Sequence, residues 1–177
     1  YAPCGAIANS LFNDSIKLQY SSDGNNWSPV TLNRTGIAWD SDKKYKFKNP
    51  PIEGTEVTEA ALQKAFEGTV KPMDWQNEIW ELDTETKDAN GNLINNGFQN
   101  EDLIVWMRTA ALPNFRKLYR RVQHNENTEF AAGLPANMKY RLEIEYNYPV
   151  TQFSGTKSVI IATTTTHHHH YHHHHDN

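Results

Sequence analysis

Tyr140, Leu142, Ile144, Tyr146 and Tyr148 alternate with Arg141, Glu143, Glu145 and Asn147 toward the end of the chain. Successive side chains of a strand point to opposite faces, so this period of two predicts a half-buried β-strand. Pro149 and Ser154-Gly155 punctuate it, and the β-branched run at 157–163 reads as its antiparallel partner. Near the start, Ile16-Lys17-Leu18-Gln19-Tyr20 alternates in the same way. The polar stretch at 21–26 is a turn, and residues 30–32 read as the return arm of a hairpin. Tyr45-Lys46-Phe47-Lys48 alternates again and stops at Asn49-Pro50-Pro51.

Helical spacing is scarcer. Ala61, Leu62, Ala65 and Phe66 share a face, Thr58 stands where a cap belongs, and Gly68 closes the segment. Residues 69–100 read as a long connection over the surface, with turn signals at Lys71-Pro72, Asn90-Gly91 and Asn96-Gly97. Leu103-Ile104-Val105-Trp106-Met107 is apolar on all sides, which predicts full burial. Periodicity does not separate strand from helix there; the β-branched and aromatic content favours strand. After Pro113, the residues Phe115, Leu118, Tyr119 and Val122 have helical spacing, with a strand as the alternative. Together these elements predict a mainly β, antiparallel domain with long loops and short helical insertions.

Length and composition fix the scale. The 177 residues divide into one domain over 1–162 and a threonine- and histidine-rich tail over 163–177. A body of that size buries roughly 70% of its unfolded surface and needs no staples. Aromatic residues make up 11% of the chain, which argues against disorder. The net charge is -4, and no Lys/Arg-rich run is present, so a nucleic-acid partner is not expected. No apolar stretch approaches the roughly 20 residues that a bilayer span requires.

Candidate chemistry is thin. The body holds a single histidine, His124, and a single cysteine, Cys4, with nothing to bring them together. There is no phosphate-binding glycine loop, nucleophile elbow or zinc-protease helix. The acid pairs Glu101-Asp102 and Asp40/Asp42 have the residue type a glycosidase needs, but acids beside turns ordinarily cap or solvate. No enzyme and no cofactor is therefore expected. The eight tail histidines, His167, His168, His169, His170, His172, His173, His174 and His175, would bind a divalent metal if the tail is natural; a purification tag is the plainer reading. Cys4 follows Tyr1-Ala2-Pro3 with no initiator Met or signal peptide, so the chain reads as an excised piece. Its thiol is either simply free or separated from its partner. Three sequons, at Asn13, Asn26 and Asn33, make N-linked glycans the expected decoration and a secretory or extracellular setting the expected compartment. Trp27 and Pro29 crowd Asn26, which makes it the poorest acceptor.

Several strings, taken in order, carry a resemblance. They are Ala2-Pro3-Cys4-Gly5-Ala6-Ile7-Ala8-Asn9-Ser10-Leu11-Phe12-Asn13-Asp14-Ser15, then Gly36-Ile37-Ala38-Trp39, then Lys46-Phe47-Lys48-Asn49-Pro50-Pro51. Residues 100–119, opening Asn100-Glu101-Asp102-Leu103, form the longest, and Tyr146-Asn147-Tyr148-Pro149-Val150 follows. The chain resembles the ectodomain of the cell cycle control protein fifty family, also called the transmembrane protein thirty or ligand-effect modulator family. The resemblance implies an antiparallel β-sandwich that is glycosylated and disulfide-bonded, flanked in the parent protein by two membrane helices absent here. It implies a non-catalytic β-subunit of a type-four P-type ATPase that flips phospholipids, supporting that enzyme's folding, its export from the endoplasmic reticulum and its transport cycle. The implied location is the exoplasmic or lumenal side of the endoplasmic reticulum, Golgi, endosome or plasma membrane.

The resemblance also distributes roles. It implies that Asn13 is glycosylated, with Asn33 next and Asn26 last, and that Cys4 pairs with a cysteine upstream of this piece. Such a bond would close a loop of about 15 residues and contribute roughly 3 kcal/mol. Trp106, between Val105 and Met107, is expected in the core rather than at an interface. Arg108 should pair with an acid or with backbone carbonyls, and Arg108, Arg116 and Lys117 are the candidates for a partner-facing surface. Asp40 stands where animal relatives usually have a second Trp, and the tail replaces a Gly-Gly-containing segment. The first departure removes a local aromatic contact, and the tail implies a truncated piece or a relative without its anchor. The alternative reading is a soluble extracellular β-sandwich of the same fold that binds another partner or self-assembles.

Overall fold

The computed structural model describes residues 1–109, 114–124 and 128–163. In chain order it contains α1 (Ala6–Asn9), β1 (Ser15–Ser21), β2 (Ser28–Pro29), β3 (Leu32–Asn33), a π-helical turn (Asp42–Lys46), α2 (Glu59–Ala65) and 3-10 turns at Ile79–Glu81 and Gly97–Gln99. After these come α3 (Glu101–Met107), β4 (Arg121–Val122), β5 (Lys139–Glu145) and a last 3-10 turn at Thr151–Phe153. Two antiparallel sheets form, one ordered β2-β1-β5 and one pairing β3 with β4.

The strand predicted from the alternating tyrosines is β5, but it ends at Glu145, stands mostly exposed rather than half-buried, and pairs with β1 rather than with residues 157–163. Ile16 faces Ile144, Leu18 faces Leu142 and Tyr20 faces Tyr140, so two alternating patterns share one register. Residues 157–163 form no strand; Lys157 is drawn instead into an ion pair with Asp14. The hairpin forms two residues earlier than expected. Ser28 and Pro29 pair with Tyr20 and Gln19, Val30 N–H donates to the Leu18 carbonyl, and the chain then leaves to pair Leu32 with Val122. Asp23 builds the turn, accepting from the backbone N–H groups of Asn25 and Asn26 at 2.8 Å each.

Three expectations are corrected. Residues 45–48 are not a strand: Phe47 N–H donates to the Asp42 carbonyl at 3.0 Å in a π turn, and Lys46 pairs with Asp42 at 3.4 Å. Residues 103–107 are helical, and only Leu103 and Ile104 of them are buried, because a helix turns Val105, Trp106 and Met107 partly outward. The Asn100 side chain accepts from Leu103 N–H at 3.0 Å, and Glu101 and Asp102 occupy the first turn, where carboxylates favour the helix dipole. That cap outweighs the strand preference of Ile104, Val105 and Trp106. Residues 115–122 form no helix; only Arg121 and Val122 join a sheet. Helix α2 forms as predicted, with the Thr58 hydroxyl accepting from Ala61 N–H.

The main apolar cluster draws on no strand residue. It gathers Ala2, Leu62, Phe66, Trp75, Ile79, Leu93 and Leu103. The connection at 69–100 therefore supplies core rather than merely covering it: Trp75, Ile79 and Leu93 come from it, and Trp75 Nε1 donates to the Ala8 carbonyl at 2.7 Å. Burying each such side chain contributes about 1.5–3 kcal/mol. The antiparallel sheets agree with the expected architecture. The sandwich is not what the described residues display, because their main core lies under α2, α3 and the 3-10 turns. Among the described residues, no helix is long and apolar enough to cross a membrane.

Candidate functional site

Helix α3 organises the surface that holds the candidate cations. At its start Glu101 is buried, and one carboxylate oxygen accepts from three successive backbone groups: Gly36 at 3.0 Å, Ile37 at 3.2 Å and Ala38 at 3.1 Å. Its other oxygen meets Lys43 Nζ at 3.2 Å. This grip fixes the loop that carries Trp39. The second acid, Asp102, pairs with Arg120 and lies 3.8 Å from Arg34. Glu101 and Asp102 are thus consumed by structural contacts, and Asp42 by Arg108 and Lys46.

At the other end of α3 the last carbonyls are capped by a side chain from a separate segment. Lys117 Nζ donates to the carbonyls of Val105 and Trp106 at 2.9 Å each and of Arg108 at 2.7 Å. A cation there complements the negative end of the helix dipole. Burial, and then the neighbouring Arg108 charge, lower the pKa of this amine. Arg108 donates to Asp42 Oδ2 at 3.2 Å, and its guanidinium carbon lies 3.4 Å from the Trp39 ring centroid. The result is a groove of about 380 Å³ lined by Ile37, Trp39, Ile104, Arg108, Phe115, Arg116, Lys117 and their neighbours. The structure therefore brings Arg108, Arg116 and Lys117 together. Sequence reasoning missed Glu101 and Trp39 as the residues that shape the groove. The signal is the cap-like Asn100-Glu101-Asp102 ahead of an apolar run, which marks a helix start.

A second cluster adjoins the far face of α3. Trp106 is half-buried rather than a member of the main core. Its ring lies 5.8 Å from Phe12 and 5.3 Å from Tyr148, and Nε1 donates to the Ile7 carbonyl. Phe12 and Tyr148 also flank Lys157, whose ammonium lies 3.4 Å from the Tyr146 centroid and pairs with Asp14. Burial pushes the Asp14 pKa up, but hydrogen bonds from Lys157, Tyr148 and Asn147 outweigh it and hold the carboxyl below its ordinary value. Asp83 behaves alike: burial raises its pKa, and the bonds from Thr86, Asn95 and the Glu85 backbone carry it below.

The remaining candidates are scattered. Asn13 is exposed at the edge of β1, with the neighbouring Asp14 turned inward. Asn26 is exposed, but its amide donates to Asp23 Oδ2 at 2.8 Å. Asn33 is half-buried in β3 opposite Arg121. Cys4 is exposed and unbonded. Among the described residues, no group of three or more His, Cys, Asp or Glu could hold a metal. The eight tail histidines lie outside the described residues.

Comparison with known proteins adds the family. The family model described as LEM3 (ligand-effect modulator 3) family / CDC50 family matches residues 1–169. Cell cycle control protein 50A of Bos taurus is 47% identical over 161 residues, which cover 91% of this chain and 40% of that protein. Cell cycle control protein 50B of Homo sapiens is 47% identical over 162 residues, covering 91% of this chain and 42% of the relative. ALA-interacting subunit 3 of Arabidopsis thaliana is 34% identical over 160 residues, covering 90% and 35%. The chain thus spans about two fifths of the length of the mammalian relatives.

Proposed function

Because the chain belongs to the LEM3/CDC50 family, we propose that it is part of a non-catalytic accessory subunit of a phospholipid-flipping, type-four P-type ATPase. The observation that carries this reading is a family match running through residues 1–169, beside a relative named as an interacting subunit. Three of the four acids that sequence alone offered to catalysis support it, since Glu101, Asp102 and Asp42 are each held by cations or backbone amides, while Asp40 is exposed. In this reading the chain faces the lumen or the cell exterior and assists the ATPase in folding, export and transport. Asn13, Asn33 and Asn26 accept N-linked glycans there, and Cys4 pairs with a cysteine outside this chain. The sandwich belongs to the same proposal: Leu142 and Ile144 stand 39% and 47% exposed on one face of β5, the face that a second sheet would cover.

The test is co-purification. The full-length protein carrying this chain, expressed in cells and pulled down from their detergent-solubilised membranes, should recover a type-four P-type ATPase, while this chain alone hydrolyses no ATP. Recovery of no ATPase above background would sink the reading. A parent protein whose Cys4 reacts fully with a thiol reagent before reduction would remove the disulfide.

A further inference from the structure

The three cations of the groove are not equivalent. All three N–H bonds of Lys117 are spent on the carbonyls of Val105, Trp106 and Arg108. Arg108 is committed to Asp42 and sits over the Trp39 ring. Arg116 is exposed and makes no hydrogen bond or ion pair among the described residues. It sits beside two outward-facing rings, Trp39 at 62% and Phe115 at 55% exposure, over a floor of buried Ile37 and Ile104. Three cations lining the groove against the carboxylate of Asp42 make it locally positive on a chain whose net charge is -4.

We infer that this groove docks an exposed peptide segment of the transporter, one presenting a carboxylate beside an aromatic or branched aliphatic side chain. The inference rests on the accessory-subunit reading. The carboxylate takes the free fork of Arg116, a geometry that guanidinium groups favour. The apolar side chain lies on Ile37 and Ile104 between the two rings. Arg and aromatic residues around a desolvated pocket are the usual composition of a binding hot spot. The volume sits at the low end of the roughly 300–1,000 Å³ of ligand pockets, so the groove takes one or two side chains rather than a folded body. A phospholipid headgroup fits less well. Its phosphate calls for several free donors, and here the ammonium and one guanidinium are already occupied.

The experiment uses the full-length protein co-expressed with its ATPase, measuring the ATPase recovered per unit of subunit. Arg116→Glu should lower recovery at least about tenfold, whereas Arg116→Lys retains most of it. Phe115→Ala should also lower recovery, and Lys87→Glu, an exposed charge outside the groove, should not. Arg116 is exposed and has no partner among the described residues, so its substitution removes no contact described in the fold. Charge reversal of the matching acid in the transporter should restore recovery with Arg116→Glu. Equal recovery by wild type and Arg116→Glu overturns the groove inference while the subunit reading stands. If the wild type recovers no ATPase, both fall. Flotation of this chain with phosphatidylserine–phosphatidylcholine vesicles, lost in Arg116→Glu, would assign the groove to lipid and overturn the peptide.

Discussion

Asp14→Ala should be among the most damaging single substitutions on the sheet. Its side chain is 3% exposed. It accepts from Asn147 N–H at 2.7 Å, from Tyr148 N–H at 2.6 Å and from the Lys157 ammonium. That ammonium also donates to the Tyr148 carbonyl at 2.6 Å and lies over Tyr146. Removing the carboxylate strands a cation that is only 23% exposed and leaves two backbone donors unpaired. Breaking such a pair from one side costs about 3–5 kcal/mol, and the low end applies here because the ammonium keeps a carbonyl and the tyrosine face. A loss of about 3 kcal/mol is a factor of roughly 150 in the folded-to-unfolded ratio, a large part of a total of 5–15 kcal/mol. Lys157→Met keeps the stem against the rings and leaves Asp14 its two amides, so it should cost about 1–2 kcal/mol. The double variant should cost less than the sum by about 1–2 kcal/mol, because the second change removes a charge that the first had already stranded. Urea unfolding followed by tryptophan fluorescence reads all three against wild type. Single-variant costs that add within about 0.5 kcal/mol would refute the coupled pair.

Further outcomes follow from the same contacts. Glu101→Ala should destabilise by about 3 kcal/mol, since it leaves Lys43 and three consecutive amides without their acceptor; thermal melting checks this, and Glu101→Gln should recover part of the loss. Asp14 and Asp83 both have folded pKa values below the ordinary one, so their stabilisation is complete above about pH 4 and is lost as pH falls through the folded values. Urea midpoints between pH 7 and pH 2 should fall accordingly, and Asp14→Asn should flatten that slope. Gly97→Ala should cost about 2–4 kcal/mol. Its φ of 66° disfavours a side chain, and a Cβ would stand 2.2 Å from Asn49 Oδ1, breaking that oxygen's bond to Phe98 N–H. Glycopeptide mapping of secreted material should find Asn13 the most occupied acceptor, Asn33 next and Asn26 least; a filled Asn26 with an empty Asn13 would reverse the ranking.

The sequence by itself determined what depends on short-range pattern. Alternation marked β1 and β5, because successive side chains of a strand fall on opposite faces; that β5 would stand mostly exposed was not legible there. Thr58 and the spacing of Leu62 and Phe66 fixed α2. The rare strings placed the family. The candidate cations Arg108, Arg116 and Lys117 were also legible, but only as members of one such string. Tertiary structure decided the rest, wherever a local preference met a stronger distant partner. Residues 103–107 carry strand-forming side chains, yet the Asn100 cap and the Lys117 ammonium satisfy both ends of a helix. Residues 157–163 look like a strand, yet Lys157 is held by Asp14 and β1 takes the place beside β5. The stretch at 69–100 has no periodicity, yet Trp75, Ile79 and Leu93 seat the core, because burial depends on where a side chain ends up rather than on its neighbours in sequence. The groove needed all of this at once. Glu101 sets the Trp39 loop and Lys117 closes the helix 16 residues later, and no pattern along the chain encodes their meeting around Arg116.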